Sequence, residues 1–270
     1  MQLRQSIYAL KDGVATFTLN RPEARNALSA EVRLDFIDML AEVRGNAAVK
    51  ALIVTGAGGV FCAGGDTKAM AAGLGGSMDR RRRLQDVHDW LERFYDLDCP
   101  TIAAVDGFAY GGGFSLALLC DFVLATPRAC FSAVFGRIGL VPDMAMLLTL
   151  PRVVGMQRAK ELMYTARAVS ADEAQALGIV MALHEPDALL DAAGELAGRL
   201  AQGSKEAIAA TKQLVHRSFN ASYPQVAEFE AGLQPALFDT DFHREAIRRF
   251  SAKEPALYDW DRMDRKDAAE

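Results

Sequence analysis

Two short apolar runs are each followed by a glycine-rich turn and then by helical spacing, and nothing else in the 270 residues restricts the fold so much. The runs are Lys50-Ala-Leu-Ile-Val-Thr55, closed by Gly56-Ala-Gly-Gly59, and Pro100-Thr-Ile-Ala-Ala-Val105, closed by Asp106-Gly107. Runs this short, continuous in apolar residues and bounded by glycine, predict strands buried on both faces. Strands joined through helices must run parallel, so the pattern predicts βαβ crossovers and a largely parallel sheet.

The flanking sequence extends this reading. Asp12-Gly13 is a hairpin turn signal between the stretch holding Ile7, Ala9 and Leu10 and the run Val14–Leu19. Ser29 is placed to cap a helix reaching about Arg44, with Val32, Leu34, Phe36, Ile37 and Leu40 toward a core. Residues 79–96 predict a helix with Leu84, Val87, Leu91 and Phe94 inside. Phe114–Leu119 predicts an apolar helix and Phe122–Ala125 another strand. After Pro142 the spacing becomes almost purely helical, with a capping box at Ser170–Glu173. The expected organisation is an α/β core over residues 1–190 and a helical region over 191–270.

Composition narrows the function. A formal net charge of −5 lacks the basic face that phosphate neutralisation requires, so nucleic acid is not an expected partner. Arg4 interrupts the first ten residues, which therefore do not read as a secretory signal. No run approaches the ~18 apolar residues of a membrane span. Cys62, Cys99, Cys120 and Cys130 show no C-x-x-C spacing and read as buried thiols of a cytoplasmic protein. His88, His184, His216 and His243 are scattered, so no metal site is expected.

Both glycine-rich segments, Phe61-Cys-Ala-Gly-Gly-Asp66 and Gly107-Phe-Ala-Tyr-Gly-Gly-Gly113, follow predicted parallel strands. That edge is where open α/β sheets bind ligands. Glycine allows backbone N–H groups to approach a ligand closely, and the second segment opens a helix whose first N–H groups have no partner. Neither segment has the G-x-G-x-x-G or G-x-x-x-x-G-K-[ST] pattern of a phosphate cradle. On turn chemistry alone, tight connections without a catalytic role remain an equal alternative.

Five motifs in order settle the resemblance: Asn20-Arg-Pro-x-x-x-Asn26-Ala-Leu28, Phe61–Asp66, Gly111-Gly-Gly113 with Cys120-Asp121, Gly139-Leu-Val-Pro142, and Leu150-Pro-Arg152. Together, over about residues 5–258, they resemble the crotonase (enoyl-CoA hydratase/isomerase) superfamily. The resemblance implies a ββα spiral core with a helical C-terminal trimerisation region, assembled as a homotrimer or a dimer of trimers. It implies an acyl-CoA thioester substrate and no separate cofactor, because coenzyme A is part of the substrate. By motif position the backbone N–H groups of Gly65 and Gly112 would hold the thioester oxygen. In analogous sites such a donor stabilises the developing oxyanion by about 3–4 kcal/mol. Arg25, Ala63, Asp66, Lys68 and Lys253 would lie along the CoA moiety, Lys253 from a neighbouring helix or subunit.

The sequence departs from the hydratase pattern at both glutamates that the resemblance leads one to expect. Those positions hold Ser115, three residues after Gly112, and Phe135, four before Gly139. Hydration needs a base for water and an acid for the α-carbon, and neither residue supplies one. Asp143, after Pro142, matches the carboxylate of some family isomerases, where one base takes a proton from one carbon and returns it to another. Its other reading is an N-cap for the following helix. Phe135, Met144, Ser115 and Trp90 are expected around the acyl group, with His88 a weaker candidate. The expected activity is double-bond isomerisation by a 1,3-proton shift through Asp143. The alternatives are an enoyl-CoA hydratase-like lyase and a non-catalytic CoA-ester binding homologue.

Overall fold

A computed structural model describes residues 1–66 and 75–267. Strands β1 (Ser6–Lys11) and β2 (Val14–Leu19) form an antiparallel hairpin. Its turn places both Asp12 and Gly13 at positive φ, as a type I′ turn requires. Then follow α1 (Ala30–Gly45), β3 (Ala51–Gly56), α2 (Ser77–Tyr95), β4 (Thr101–Val105), β5 (Phe108–Tyr110), α3 (Gly112–Leu119), β6 (Phe122–Ala125) and β7 (Cys130–Ser132). The later elements are α4 (Met146–Val154), α5 (Met156–Thr165), β8 (Val169–Ser170), α6 (Ala171–Ala176), β9 (Ala182–Leu183), α7 (Leu189–Leu200), α8 (Lys205–Ser218), α9 (Tyr223–Phe238), α10 (Asp241–Ala252) and α11 (Trp260–Asp267).

The main sheet has the order β1-β2-β3-β4-β6-β9 and is parallel from β2 onward. Both faces are buried, which is why β3 and β4 read as continuous apolar runs. Leu52, Val54, Ala103 and Val105 enter the larger core with α1 and α2. Ala51, Ile53, Ile102 and Ala104 enter a second core with Leu189, Ala193 and Leu196 of α7. Helix α7 thus covers the back of the sheet although it starts at the expected 190 boundary. Helices α9 and α10 bury none of their own residues.

Several expectations need correction. Leu34 and Ile37 are exposed; the buried stripe of α1 runs through Val32, Asp35, Phe36, Met39, Leu40 and Val43. Asp35 is tolerated inside because its carboxylate accepts the Arg4 and Gln5 N–H groups at 2.9 and 2.8 Å. Leu84 is also exposed, while Trp90, Leu91 and Phe94 form the buried end of α2. The segment Gly107–Gly113 is not one turn but contains β5, which joins β7 and β8 in a second, small sheet. The two-residue strands β8 and β9 interrupt the expected helical run; such short pieces leave no periodic signal. The Ser29 cap is observed, its side chain accepting the Val32 N–H at 3.2 Å.

Candidate active site

The first glycine turn is held from both sides. Asn26 is buried at positive φ. Its Oδ1 accepts the Arg21 N–H at 2.8 Å, and its Nδ2 donates to the carbonyls of Ala57 and Val60 at 2.9 and 2.6 Å. This side chain pins loop 20–28 against the exit of β3. The loop in turn accepts the Ala63 N–H on the Arg25 carbonyl at 3.0 Å, and the Leu28 N–H donates to the Gly64 carbonyl at 2.8 Å.

The second turn is built onto the first. Cys62 and Ala109 form a parallel bridge, with the Cys62 N–H donating to Phe108 O at 2.9 Å and the Tyr110 N–H to Cys62 O at 3.0 Å. Gly64 has a φ of +92°, and a Cβ there would stand 2.6 Å from the Tyr110 carbonyl oxygen and 3.1 Å from the Gly112 nitrogen. Gly113 is as tightly placed, its missing Cβ 2.2 Å from the Cys62 oxygen. The two turns therefore meet backbone to backbone. Gly112 is the first residue of α3, so its N–H precedes the helix's own ladder. Among the described residues, neither the Gly65 nor the Gly112 N–H donates a hydrogen bond.

A third segment closes over this junction. Met144 and Ala145 both have positive φ, +51° and +63°, a rare pair of left-handed residues without glycine. They turn the chain so that the Met144 Sδ lies 2.7 Å, and Leu28 Cδ1 3.2 Å, from where a Cβ of Gly112 would stand. Phe135 is buried, its ring edge 3.8 Å from the corresponding point on Gly111. Ser115 is buried too, and its Oγ lies 3.0 Å from the Asp143 carbonyl oxygen.

A sheet edge with two interlocked glycine turns and a carboxylate-bearing loop invites comparison with known enzymes. The enoyl-CoA hydratase/isomerase profile matches residues 9–261. The chain belongs to the enoyl-CoA hydratase/isomerase family. A crystal structure of an enoyl-CoA hydratase/isomerase from Cupriavidus metallidurans CH34 superposes with a TM-score of 0.91 at 37% identity, covering 96% of this chain and 97% of that one. The short-chain-enoyl-CoA hydratase of Clostridium acetobutylicum is 32% identical over 94% of this chain and 97% of its own length. The 4-chlorobenzoyl coenzyme A dehalogenase-2 of an Arthrobacter species is 31% identical over 90% of this chain and 89% of its own. The protein is thus an enzyme of the crotonase fold.

The structure brings the Ala63–Gly65 turn against Gly112, with Met144 on Gly112, Phe135 beside Gly111 and Ser115 on the Asp143 carbonyl. Asp143 is half-buried, and burial raises its carboxyl pKa above the ordinary range, opposed by the electrostatic influence of His88 and by its own backbone N–H. The carboxylate does not cap a helix: α4 begins at Met146 with Ala145 at its N-cap and no side-chain cap bond. The N-cap reading therefore does not account for Asp143. His88 lies on α2 and is exposed. Its effect on Asp143 is a tertiary one that linear spacing could not reveal.

Other expected residues take different places. Arg25 is exposed at a φ of +52° and serves the site through its carbonyl. Asp66 pairs with Arg21 at 3.3 Å; Arg21 was not singled out from the sequence, although it stands in the first motif. Lys68 lies outside the described residues. Lys253 is exposed and closes α10 in a left-handed conformation. Trp90, expected at the acyl group, is committed to the core: it is 3% exposed and stacks on Phe36 with ring centroids 4.8 Å apart. Its Nε1 has no hydrogen-bond partner among the described residues. Cys62 is a buried thiol pushed up to about 12 by desolvation, the wrong direction for a nucleophile at neutral pH.

Proposed function

We propose that this enzyme isomerises the double bond of an enoyl-CoA thioester. The Gly65 and Gly112 N–H groups hold the thioester oxygen, and the negative charge of the enolate develops against them and the start of α3. Asp143 removes a proton from one carbon and returns it to another two bonds away, so no water is activated. The observation that carries this reading is the half-buried Asp143 carboxylate, free of any capping duty, on the loop whose Met144 packs against Gly112. Ser115 and Phe135, at the positions where the resemblance puts the hydratase glutamates, offer no second carboxylate. Burial keeps Asp143 basic enough for enolisation. A hydratase-like lyase working through Asp143 alone would lack a separate acid for the α-carbon.

The substrate enters as a CoA ester, with Arg25, Asp66, Lys68 and Lys253 toward the nucleotide end and Phe135 and Met144 beside the acyl chain. In this reading Lys253 serves a neighbouring subunit of a homotrimer, or a dimer of trimers. The apolar side chains exposed on the C-terminal helices support that assembly. Cys62, Cys99 and Cys120 are buried and Cys130, against expectation, is half-buried; all four are free thiols, which fits a cytoplasmic enzyme.

A second reading follows from His88. A carboxylate near a histidine can displace halide from an aryl-CoA ring. The carboxylate adds to the ring carbon while the thioester oxygen takes up charge in the oxyanion hole, and halide leaves. Water deprotonated by the histidine then cleaves the aryl ester, returning the carboxylate and a phenol. The Arthrobacter dehalogenase relative supports this alternative.

The two are separated by offering 3-enoyl-CoA, 2-enoyl-CoA, a dienoyl-CoA and a 4-halobenzoyl-CoA to the purified enzyme and its Asp143→Asn variant. Double-bond migration lost in the variant supports the leading reading, and halide release supports the second. Robust hydration that survives the substitution sinks both. CoA-ester binding without turnover of any substrate marks a non-catalytic homologue.

A further inference from the structure

Helix α3 and the Asp143 loop are joined by one side-chain hydrogen bond. Ser115 is fully buried, and its Oγ lies 3.0 Å from the Asp143 carbonyl oxygen and 3.3 Å from the Gly111 carbonyl oxygen. A serine within a helix ordinarily returns its proton to the carbonyl four residues back. Here that carbonyl already accepts the Ser115 backbone N–H at 3.0 Å, and the longer approach to it is the poorer one. The hydroxyl proton therefore serves Asp143. The Met146 N–H, at 3.2 Å, takes the second lone pair of the same oxygen. Met144 and Ala145, between these two anchors, hold the left-handed conformations that aim the loop at Gly112. Single residues in that region persist when surrounding contacts over-determine them; from the oxyanion helix come the packing of Gly112 on Met144 and the side-chain hydrogen bond of Ser115.

We infer that Ser115 is a positioning residue. Its hydroxyl latches the Asp143 loop to the helix that carries Gly112, and so fixes the distance between the base and the enolate oxygen. Its catalytic meaning rests on the reading of Asp143 as the base, but the latch is a separate physical claim. A base held in register by one buried bond loses rate steeply when that bond goes, because proton transfer depends on sub-ångström placement. Affinity for the CoA ester, set elsewhere in the site, is untouched.

The test compares Ser115→Ala, Ser115→Cys and a control, Thr55→Val. Thr55 is buried and its hydroxyl donates to the Ala104 carbonyl at 2.9 Å, the same kind of bond on the main sheet. Turnover of the best substrate found above and hydrogen–deuterium exchange across residues 143–149 are measured for each folded variant. Ser115→Ala is expected to lower kcat about tenfold, leave KM within about twofold, and speed exchange in 143–149. Ser115→Cys, a similar volume with a weak donor, falls between it and the parent. Thr55→Val leaves both readouts unchanged.

Unchanged exchange in both Ser115 variants overturns the latch. Equal kcat losses in Ser115→Ala and Thr55→Val overturn its link to catalysis, as does a rise in KM at constant kcat. Failure of the base reading looks different: Asp143→Asn then keeps its activity, whatever exchange at 143–149 does.

Discussion

Met144 presses its sulfur against Gly112, 2.7 Å from where a Cβ on that glycine would stand. The loop bearing the carboxylate is thereby set directly on the helix that begins the oxyanion site. The contact separates two substitutions that look alike on paper. In Gly112→Ala the new methyl meets the sulfur of a flexible methionine and the end of Leu28, side chains that can shift, so stability falls by about 1–3 kcal/mol. In Gly64→Ala it meets the Tyr110 carbonyl at 2.6 Å, on a backbone at φ +92° that disfavours any side chain. Thermal unfolding should therefore show a clearly larger loss of Tm for Gly64→Ala. Gly112→Ala should fold and still lose turnover, because displacing Met144 disturbs the Asp143 loop.

The raised pKa of Asp143 has a signature in pH. As a base it must be ionised, so kcat/KM should fall on the acid side with an apparent pKa above the ordinary ~4 of an aspartate. The stability effect has the opposite sign to that of most aspartates. With the folded pKa raised, the native state binds more protons than the unfolded chain between the two pKa values, so stability falls as pH rises through that window. Asp143→Asn should thus be more stable than the parent at neutral pH, with the advantage gone below pH ~4. Denaturant melts at several pH values check this.

Lys212 ties the C-terminal helices to the sheet. Its buried ammonium donates to Asp121 at 2.8 Å and to the Cys99 carbonyl at 3.2 Å, beneath the starts of β4 and β6. Replacing it by methionine leaves the Asp121 charge with only the Thr101 N–H and hydroxyl. Asp121 is partly open to solvent, so losing this charged hydrogen bond should cost about 2 kcal/mol, readable as a shifted urea midpoint with an unchanged slope.

Tyr223 and Phe250 are 85% and 84% exposed in the single chain, on helices α9 and α10 that bury none of their own residues in it, and Phe219, at the end of α8, is 64% exposed. Large apolar side chains so displayed mark an assembly surface. If the proposed trimer or dimer of trimers forms through this surface, Phe250→Glu lowers the mass found by light scattering toward that of one chain.

The sheet was readable in the sequence because burial on both faces makes β3 and β4 continuously apolar, a local property. The hairpin and the Ser29 cap were readable for the same reason. Leu34, Ile37 and Trp90 show the limit: apolar identity does not tell a helix which way to turn. The left-handed pair at Met144 and Ala145 carries no glycine to announce it, so the loop after Pro142 read as helix. The hydrogen bond of Ser115 left no trace in the sequence because its partner, the Asp143 carbonyl, is 28 positions away and belongs to the backbone. The glycine turns were legible as motifs, but their meeting at Gly64 and Gly112 is a fact of the fold alone.

In the proposed reaction Asp143 alone moves the proton of an enolate held at Gly65 and Gly112. This is tested most directly by giving 3-enoyl-CoA to the enzyme and to Asp143→Asn, and following the position of the double bond by NMR. The parent should give 2-enoyl-CoA, and the variant should do so at a rate at least about 100-fold lower. Isomerisation that persists in the variant, or a hydrated product from both, would contradict it.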